Sequence, residues 1–366
     1  MILKMLPHPD FMERGRSFFE KYELVNVILP GDERYSKRKM KRKNERICLF
    51  CGRMLPETSF SSFSHLMSKG IGNKDLYSDF ECSSCNQNFS TIENDLASYL
   101  GLSRSITSLK DQTPYGFASK KIMAKARNFN GDDLLIIAPK DVKKAGNTTT
   151  ITYSKNSYSP AKVYRSFLKF SLSLLPLIEV QQNYQLPLKY LQGKFKIDNG
   201  AMIAGYRLNF EINLPLHVYV FKKKVKNDKI PKHVINFLFQ NHVIAFPMPL
   251  CKEDLHFYNE DYDLFVPPPY FTNEEIIARS FPVAFIRDFS SEDLLCDEEE
   301  VISLSIDPHA LENCHAYDPE TDSLEKREFE SIRPKYLILT RPGVIINPKE
   351  FSKFVISEMD KAKDKS

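Results

Sequence analysis

The sequence predicts an α+β protein, with a small cysteine-rich ββα module near the N-terminus and a larger mixed, strand-rich domain after it. Three observations carry that prediction. Two Cys-x2-Cys pairs lie some thirty residues apart, an apolar stripe at helical spacing starts at the second pair, and short apolar segments bounded by turn residues recur beyond residue 130. The expected layout is an N-terminal segment with a basic arm (1–46), the cysteine module (47–101), a connector (102–131) and a mixed α/β domain (132–366).

A chain of 366 residues exceeds one ordinary domain and leads to an expectation of two or three. Hydrophobic residues at 42% and charged residues at 27% leave ample apolar material for a core. The formal charge of +4 is modest, but its distribution is not even. Residues 1–130 hold about 21 Lys+Arg against about 14 Asp+Glu, and the remainder is slightly acidic. Pro7, His8, Pro9 and Asp10 follow the first apolar residues, so no secretory h-region develops. The longest apolar stretch, 167–180, is interrupted by Lys169 and Pro176 and is too short to span a bilayer. The expectation is a cytoplasmic protein with no membrane partner. In a reducing compartment paired cysteines hold metal more often than they form disulfides.

Along the chain, a short N-terminal helix with Phe18 and Phe19 buried is followed by an apolar run through Val25, Val27 and Ile28. From Arg34 to Arg46 the chain is strongly basic, and Arg38, Lys39, Lys41, Arg42 and Lys43 are the candidates for phosphate contacts. Such a run is more often a solvated face, but it directly precedes a cysteine pair. Strands are expected at 134–138 and 148–153. A helix is expected at 161–175, where Val163, Phe167, Phe170 and Leu174 recur at three and four and Pro176 ends the run. The pattern then turns to strands at 206–214, 217–221, 234–246, 283–287 and 336–339, punctuated by Pro267-Pro268-Pro269.

Cys48-x2-Cys51 and Cys82-x2-Cys85 are the signature of a tetrahedral four-thiolate zinc site, closed and therefore structural. Gly52 suits the tight turn of the first pair. Cys251, Cys296 and Cys314 are scattered without partners. Between the pairs, the segment around His65 suits a short strand, and Gly70-Ile71-Gly72 suits a turn that brings Asn73 back beside it. A histidine so placed can serve as general base toward a water molecule, although alone it is more often an ordinary strand residue. In the helix from the second pair, Phe89, Ile92, Leu96 and Leu100 form the apolar stripe, leaving Asn86 and Glu93 about two turns apart on one side. Asn86 can cap this helix, present its amide oxygen to a hard cation, or do both.

The run from Ile47 to Leu100, with ICLFCG, SHLMSKGIGNKDL and ECSSCNQNFSTIENDL, resembles the HNH endonuclease family in its zinc-containing branch. The resemblance covers about fifty residues and rests on the joint order of two cysteine pairs, a histidine, a Gly-x-Asn turn and a CxxCN helix start. It implies a treble-clef module in which Cys48, Cys51, Cys82 and Cys85 hold structural zinc. His65 would activate water, Asn73 would orient it, and Asn86 would ligate a single catalytic Mg²⁺ or Mn²⁺. The implied activity is metal-dependent hydrolysis of DNA phosphodiester bonds, as in restriction-like and phage-defence nucleases, with RNA the less favoured substrate. Cleaving both strands would call for a homodimer or two successive nicks. Residues 132–366 would then serve regulation or target recognition.

One position departs from the family: Ser64 stands where an acidic metal ligand precedes the histidine. Glu93 or Asp75 could supply the missing carboxylate, the ion could depend on substrate phosphate, or the module could be an inactive zinc-containing nucleic-acid binder. Elsewhere, Lys222, Lys223, Lys224 and Lys226 fit a solvated strand end better than a phosphate site. His217, His242 and His309 show no ligand spacing, and the acidic patch from Glu292 to Glu300 could mimic phosphate or cover the basic arm.

Overall fold

The structure, a computed structural model, describes residues 17–60, 63–108, 115–140, 142–146, 148–198, 200–208, 213–225, 229–257, 283–305, 315–318, 320–326, 337–340 and 347–363. The chain divides into two compact units, each made of two separate segments: Met1–Leu100 with Ser157–Leu295, and Gly101–Asn156 with Cys296–Ser366. It is a mixed α+β protein.

The first unit is built on a six-stranded antiparallel sheet of order β1-β10-β11-β12-β9-β13. These strands are β1 (Tyr22–Ile28), β9 (Met202–Arg207), β10 (Leu214–Lys223), β11 (His233–Gln240), β12 (His242–Pro247) and β13 (Val283–Asp288). Strand β10 alternates, burying Leu216, Val218 and Val220, whereas β11 and β12 are buried on both faces. The apolar run 234–246 was expected as one strand and is a hairpin: the chain reverses at Gln240-Asn241, where Gln240 takes φ +54°, and Phe239 pairs with His242. Two polar residues inside an apolar run mark the turn. The expected strand 206–214 likewise covers the end of β9 and the start of β10.

Helix α3 (Pro160–Leu174) starts with proline in its first turn and stops before Pro176, as the spacing predicts. Thirteen of its residues are buried, and Phe167 packs on Phe237, Phe239 and Phe246 of the sheet at centroid distances of 5.4, 6.4 and 6.2 Å. Burial of each such ring stabilises by roughly 1.5–3 kcal/mol. Two short helices, α4 (Leu177–Asn183) and α5 (Gln185–Leu191), follow directly. At the start of the described chain, α1 occupies residues 17–21. There Phe18 is buried, but Phe19 is largely exposed and makes edge contacts with Phe18 and Phe221, because adjacent helical positions cannot both face the sheet.

The cysteine segment is not a separate bead. Strands β2 (Ser64–His65) and β3 (Tyr77–Ser78) pair in antiparallel register, and helix α2 (Ser83–Ser108) follows, giving the expected strand–strand–helix order. Leu66, Met67, Ile71, Leu76, Phe89, Leu96 and Leu100 share one buried cluster with α3 and with Val218, Ile235 and Phe237 of the sheet. Ile92 of the predicted stripe is only partly buried. The Gln240 amide donates to the Gly70 carbonyl at 3.1 Å, tying the loop after β2 to the sheet hairpin.

The second unit holds a four-stranded sheet of order β17-β6-β5-β4 and a three-stranded sheet of order β14-β8-β7. Its strands are β4 (Phe117–Ser119), β5 (Ile122–Phe129), β6 (Asp132–Pro139), β7 (Val142–Ala145), β8 (Thr148–Ser154), β14 (Glu299–Ser305), the hairpin β15 (His315–Asp318) with β16 (Ser323–Lys326), and β17 (Leu337–Thr340). Helix α6 (Pro348–Lys363) sets Phe351 and Val355 on Leu134 and Ile136. Within α2 the helical path breaks at Gly101, which has φ +59° and ψ −141°, at the division between the units.

The layout therefore differs from the sequence expectation. Residues 102–131, read as a connector, hold the end of α2 and strands β4 and β5, and 132–366 is shared between both units. The pairing of β6 with β17 and of β8 with β14 joins segments some 150–200 residues apart, which no local pattern encodes. Pro267-Pro268-Pro269, Lys226, His309 and Tyr336 lie outside the described residues.

Candidate functional site

The four cysteines come together. Cys48, Cys51, Cys82 and Cys85 place their Sγ atoms within 4.8 Å of one another, and among the described residues theirs is the only such group of three or more His, Cys, Asp or Glu. The first pair sits on a tight turn closed by Gly52 N donating to Cys48 O at 2.8 Å and Cys48 N donating to Arg53 O at 2.9 Å, with Gly52 at φ +74°. The second pair opens α2, where Cys85 N donates to Cys82 Sγ at 3.5 Å. Across the pairs, Cys51 Sγ and Cys82 Sγ are 3.8 Å apart. A tetrahedral ion with Zn–S bonds of about 2.3 Å sets sulfurs about 3.8 Å apart, the separation of Cys51 and Cys82, and the whole group lies within 4.8 Å. Cys48 is drawn down to about 5, first by the Cys85 thiol that donates to it, then, against burial, by the amides of Cys82, Cys51 and Phe50. The cluster can hold a metal ion such as zinc.

The second element is His65 at the end of β2, opposite Tyr77 and 4.8 Å from its ring centroid. Leu66 N donates to Leu76 O at 3.0 Å, closing the loop between the strands. Inside that loop Ser68 caps Gly70, Gly72 takes φ +94°, and Asn73 is buried. The Asn73 amide donates to Met67 O at 2.8 Å and to Leu76 O at 3.0 Å, and its oxygen accepts from Leu76 N at 2.9 Å. Both amide hydrogens are thus spent on the loop backbone, and Asn73 clamps the loop between β2 and β3. The His65 ring is held neutral, pulled down to about 4 by burial and then by the Lys69, Lys169 and Lys37 ammonium groups, with Asp75 opposing. Its Nδ1 is buried and accepts or donates no hydrogen bond to the protein.

The third element was not visible in the motif. Lys169, from the middle of α3, is 2% exposed and places Nζ 3.1 Å from Glu81 Oε2 and 3.2 Å from Glu93 Oε1. Burial alone would lower the Lys169 pKa, but the two carboxylates more than offset it and raise it. Burial pushes Glu81 up to about 7, with Lys169 opposing. Glu93, foreseen as a metal ligand, therefore shares its carboxylate with a buried ammonium. The signal for Lys169 was present in the sequence as the charge interrupting the apolar stretch 167–180. Glu81 had no signal beyond standing next to Cys82.

Asn86 lies partly exposed in the first turn of α2, Ser64 is buried and Asp75 is exposed. The basic arm is folded into three 3-10 turns (Glu33–Tyr35, Lys37–Lys39, Lys43–Glu45), with Arg38, Lys39, Lys41, Arg42 and Lys43 all exposed. Lys41 N donates to Asp79 Oδ2 at 2.9 Å, anchoring the arm beside β3. Lys37 reaches over the rings of Phe63 and Tyr77, with Nζ 4.5 and 4.9 Å from their centroids.

The acids of the patch from Glu292 to Glu300 form local ion pairs. Glu292 pairs with Arg165, Asp297 with Lys120, Glu299 with Lys121, and Glu298 and Glu300 with Lys155. Of the lysine run, Lys223 is buried against Asp254 and Lys224 donates to Phe19 O. Among the described residues, His217 and His242 join no metal cluster. Among the described residues no helix is long and apolar enough to cross a membrane. No protein-family model matches the chain, and no curated protein and no solved structure matches it.

Proposed function

We propose that the chain is a metal-dependent DNA endonuclease of HNH type, in which a treble-clef module stapled by zinc hydrolyses phosphodiester bonds with His65 as general base. The observation that carries this reading is the setting of His65. It is a neutral imidazole with an unpartnered Nδ1, at the end of a strand pair whose loop is clamped by Asn73 and whose following helix opens on the second cysteine pair. A neutral ring accepts the proton of an attacking water. The water oxygen bonds to phosphorus as the bond to the departing 3′ oxygen breaks. Lys37, Lys69 and the exposed arm residues give this side a positive field that draws a polyanion toward it.

A catalytic Mg²⁺ or Mn²⁺ commonly takes one or two protein oxygens, with waters and substrate phosphate completing its shell. Asn86 and the Glu93 oxygen that Lys169 leaves over are the donors suited to it, and the ion would stabilise charge developing on the phosphate. The buried Ser64 offers only a hydroxyl. That shortage of carboxylate, together with the engagement of Glu93 by Lys169, favours the second reading, an inactive zinc-containing nucleic-acid binder. Residues 132–366 would serve target choice or regulation in either case.

Incubation of purified protein with supercoiled plasmid in Mg²⁺, Mn²⁺ or EDTA, alongside a zinc-retaining His65→Ala variant, decides between them. The expected outcome is cleavage by the wild type alone, abolished by EDTA and reduced at least a hundredfold by the substitution. Linear rather than nicked product would show that both strands are cut, by a homodimer or by two successive nicks. DNA binding without cleavage in any metal would leave the second reading or a nuclease gated by residues 132–366, and overturn an unregulated endonuclease.

A further inference from the structure

A cavity of about 500 Å³ opens beside the first cysteine turn. One wall is the segment from Lys41 to Gly52 with Asp79 and Phe80, and the other is formed by the end of α3 with α4 and α5. We propose that this cavity is a nucleotide-binding site, taking a base against its aliphatic walls and a phosphate at its lysine rim.

Its size lies within the roughly 300–1,000 Å³ range of small-ligand sites, and its lining has the expected division between an apolar body and a few convergent polar groups. Ile47 from one wall and Leu177 from the other are 52% and 49% exposed, although both belong to types that usually bury. Two aliphatic side chains lining one cleft suit the faces of a flat heterocycle. Gln181 and Gln185 rise from the α4–α5 wall with amide donors and acceptors, the chemistry that reads a base edge. The Gln185 amide nitrogen is tied to Gln181 O, and among the described residues the Gln181 side-chain amide makes no hydrogen bond.

The charge is arranged for a phosphate. Lys194 N donates to Lys189 O at 2.9 Å, so the end of α5 brings both lysines to one rim, and Lys41 faces them from the arm. Among the described residues none of the three ammonium groups is held in an ion pair. The two acids of the lining are engaged locally: Asp79 accepts from Lys41 N and Glu45 from Arg42 N. The wall itself is held in place, since the Gln192 amide donates to Phe50 O in the cysteine turn. A base bound here would come either from a free nucleotide acting as a signal or from an unpaired residue of a nucleic-acid strand. The site shares no residue with His65, Asn73 or Lys169, and the proposal does not depend on cleavage activity.

The test uses the zinc-loaded full chain, with adenosine and guanosine 5′-monophosphates measured by calorimetry and a fluorescein-labelled short single strand measured by anisotropy. At least one probe is expected to bind the wild type. The Lys189→Glu/Lys194→Glu double variant should weaken it by at least about tenfold. Gln181→Leu should change the preference between the two bases. Saturable binding of a monophosphate that also displaces the strand identifies a free nucleotide as ligand, and strand binding alone identifies an unpaired residue. Absence of binding by every probe overturns the proposal, as does binding that the double variant leaves unchanged while zinc content and melting temperature are preserved.

Discussion

The cysteine cluster and the Lys169 ion group are adjacent in the chain, since Glu81 precedes Cys82, and both bury polar atoms in the same unit. They are built in opposite ways. The thiols come from two local turns whose backbone hydrogen bonds fix each pair, and only one long-range step joins the pairs. The ion group has no local element at all. Its cation arrives on α3, more than seventy residues beyond the carboxylates, and is placed by the packing of Phe167 and Phe170 on the sheet. The thiol cluster is thus set by local turns and could be completed by a metal, whereas the ion group depends on the core around it. Geometry that spacing can encode survives in the sequence, and geometry that packing creates does not.

Removing the metal should have the largest effect. Structural zinc contributes an apparent ~10–16 kcal/mol to the folding of small modules, and here the surrounding hydrophobic cluster retains part of the order. Cys82→Ser should lose tightly held zinc and melt the segment 47–100, seen as loss of amide-exchange protection there. Protection in β11 and β12 should persist. Simultaneous loss in the sheet would show that the staple and the core are one cooperative element and would remove the contrast drawn above.

Lys169→Met should come next. It leaves Glu81 and Glu93 beside an apolar chain with no counter-charge, a change that commonly costs about 3–5 kcal/mol in buried settings. Glu93 is partly exposed, which moves the expectation toward the lower figure. Adding Glu81→Gln should recover part of the loss, because a neutral amide is cheaper to bury than a carboxylate. Urea unfolding of the two variants measures both numbers. Equal stability of Lys169→Met and the wild type would show that the ion group contributes no more than a surface pair.

Much of the candidate site could be read from the sequence for a physical reason. The CxxC turns, the Gly-x-Asn loop and the helix start are each set by residues within about ten positions of one another, and local backbone chemistry selects them. Helix α3 was legible within one residue at each end because its apolar period and flanking prolines act locally. The double-sided burial of β11 and β12 hid their turn, since a strand without alternation offers no period to interrupt. The division into units was hidden for a stronger reason. Each unit is assembled from two separated segments, and the strand pairs that close the second unit join partners whose local patterns are ordinary. Lys169 falls between these cases: its charge was conspicuous, but its partners were set by packing.

The smallest expected effect concerns protons, and it bears on whether the two regions communicate through charge. His65 is pulled down to about 4, first by burial and then by lysines that include Lys169, while an unfolded histidine titrates near 6.5. The folded chain therefore binds this proton more weakly than the unfolded chain. The contribution of His65 to stability is complete above about pH 6.5 and is lost as the pH falls through 4. His233, buried and joined to the Tyr184 hydroxyl at 2.6 Å, is also pulled down to about 4 by burial and loses stability in the same window. A bulk unfolding curve would mix the two, so ring resonances followed by two-dimensional NMR are the better measurement. His65 is expected to remain neutral at pH 5.5, with a midpoint near 4, and Lys169→Met should move that midpoint upward without moving that of His233. A His65 midpoint near 6.5 would place the ring in ordinary solvent. An unmoved midpoint in the variant would confine the influence of Lys169 to its two carboxylates.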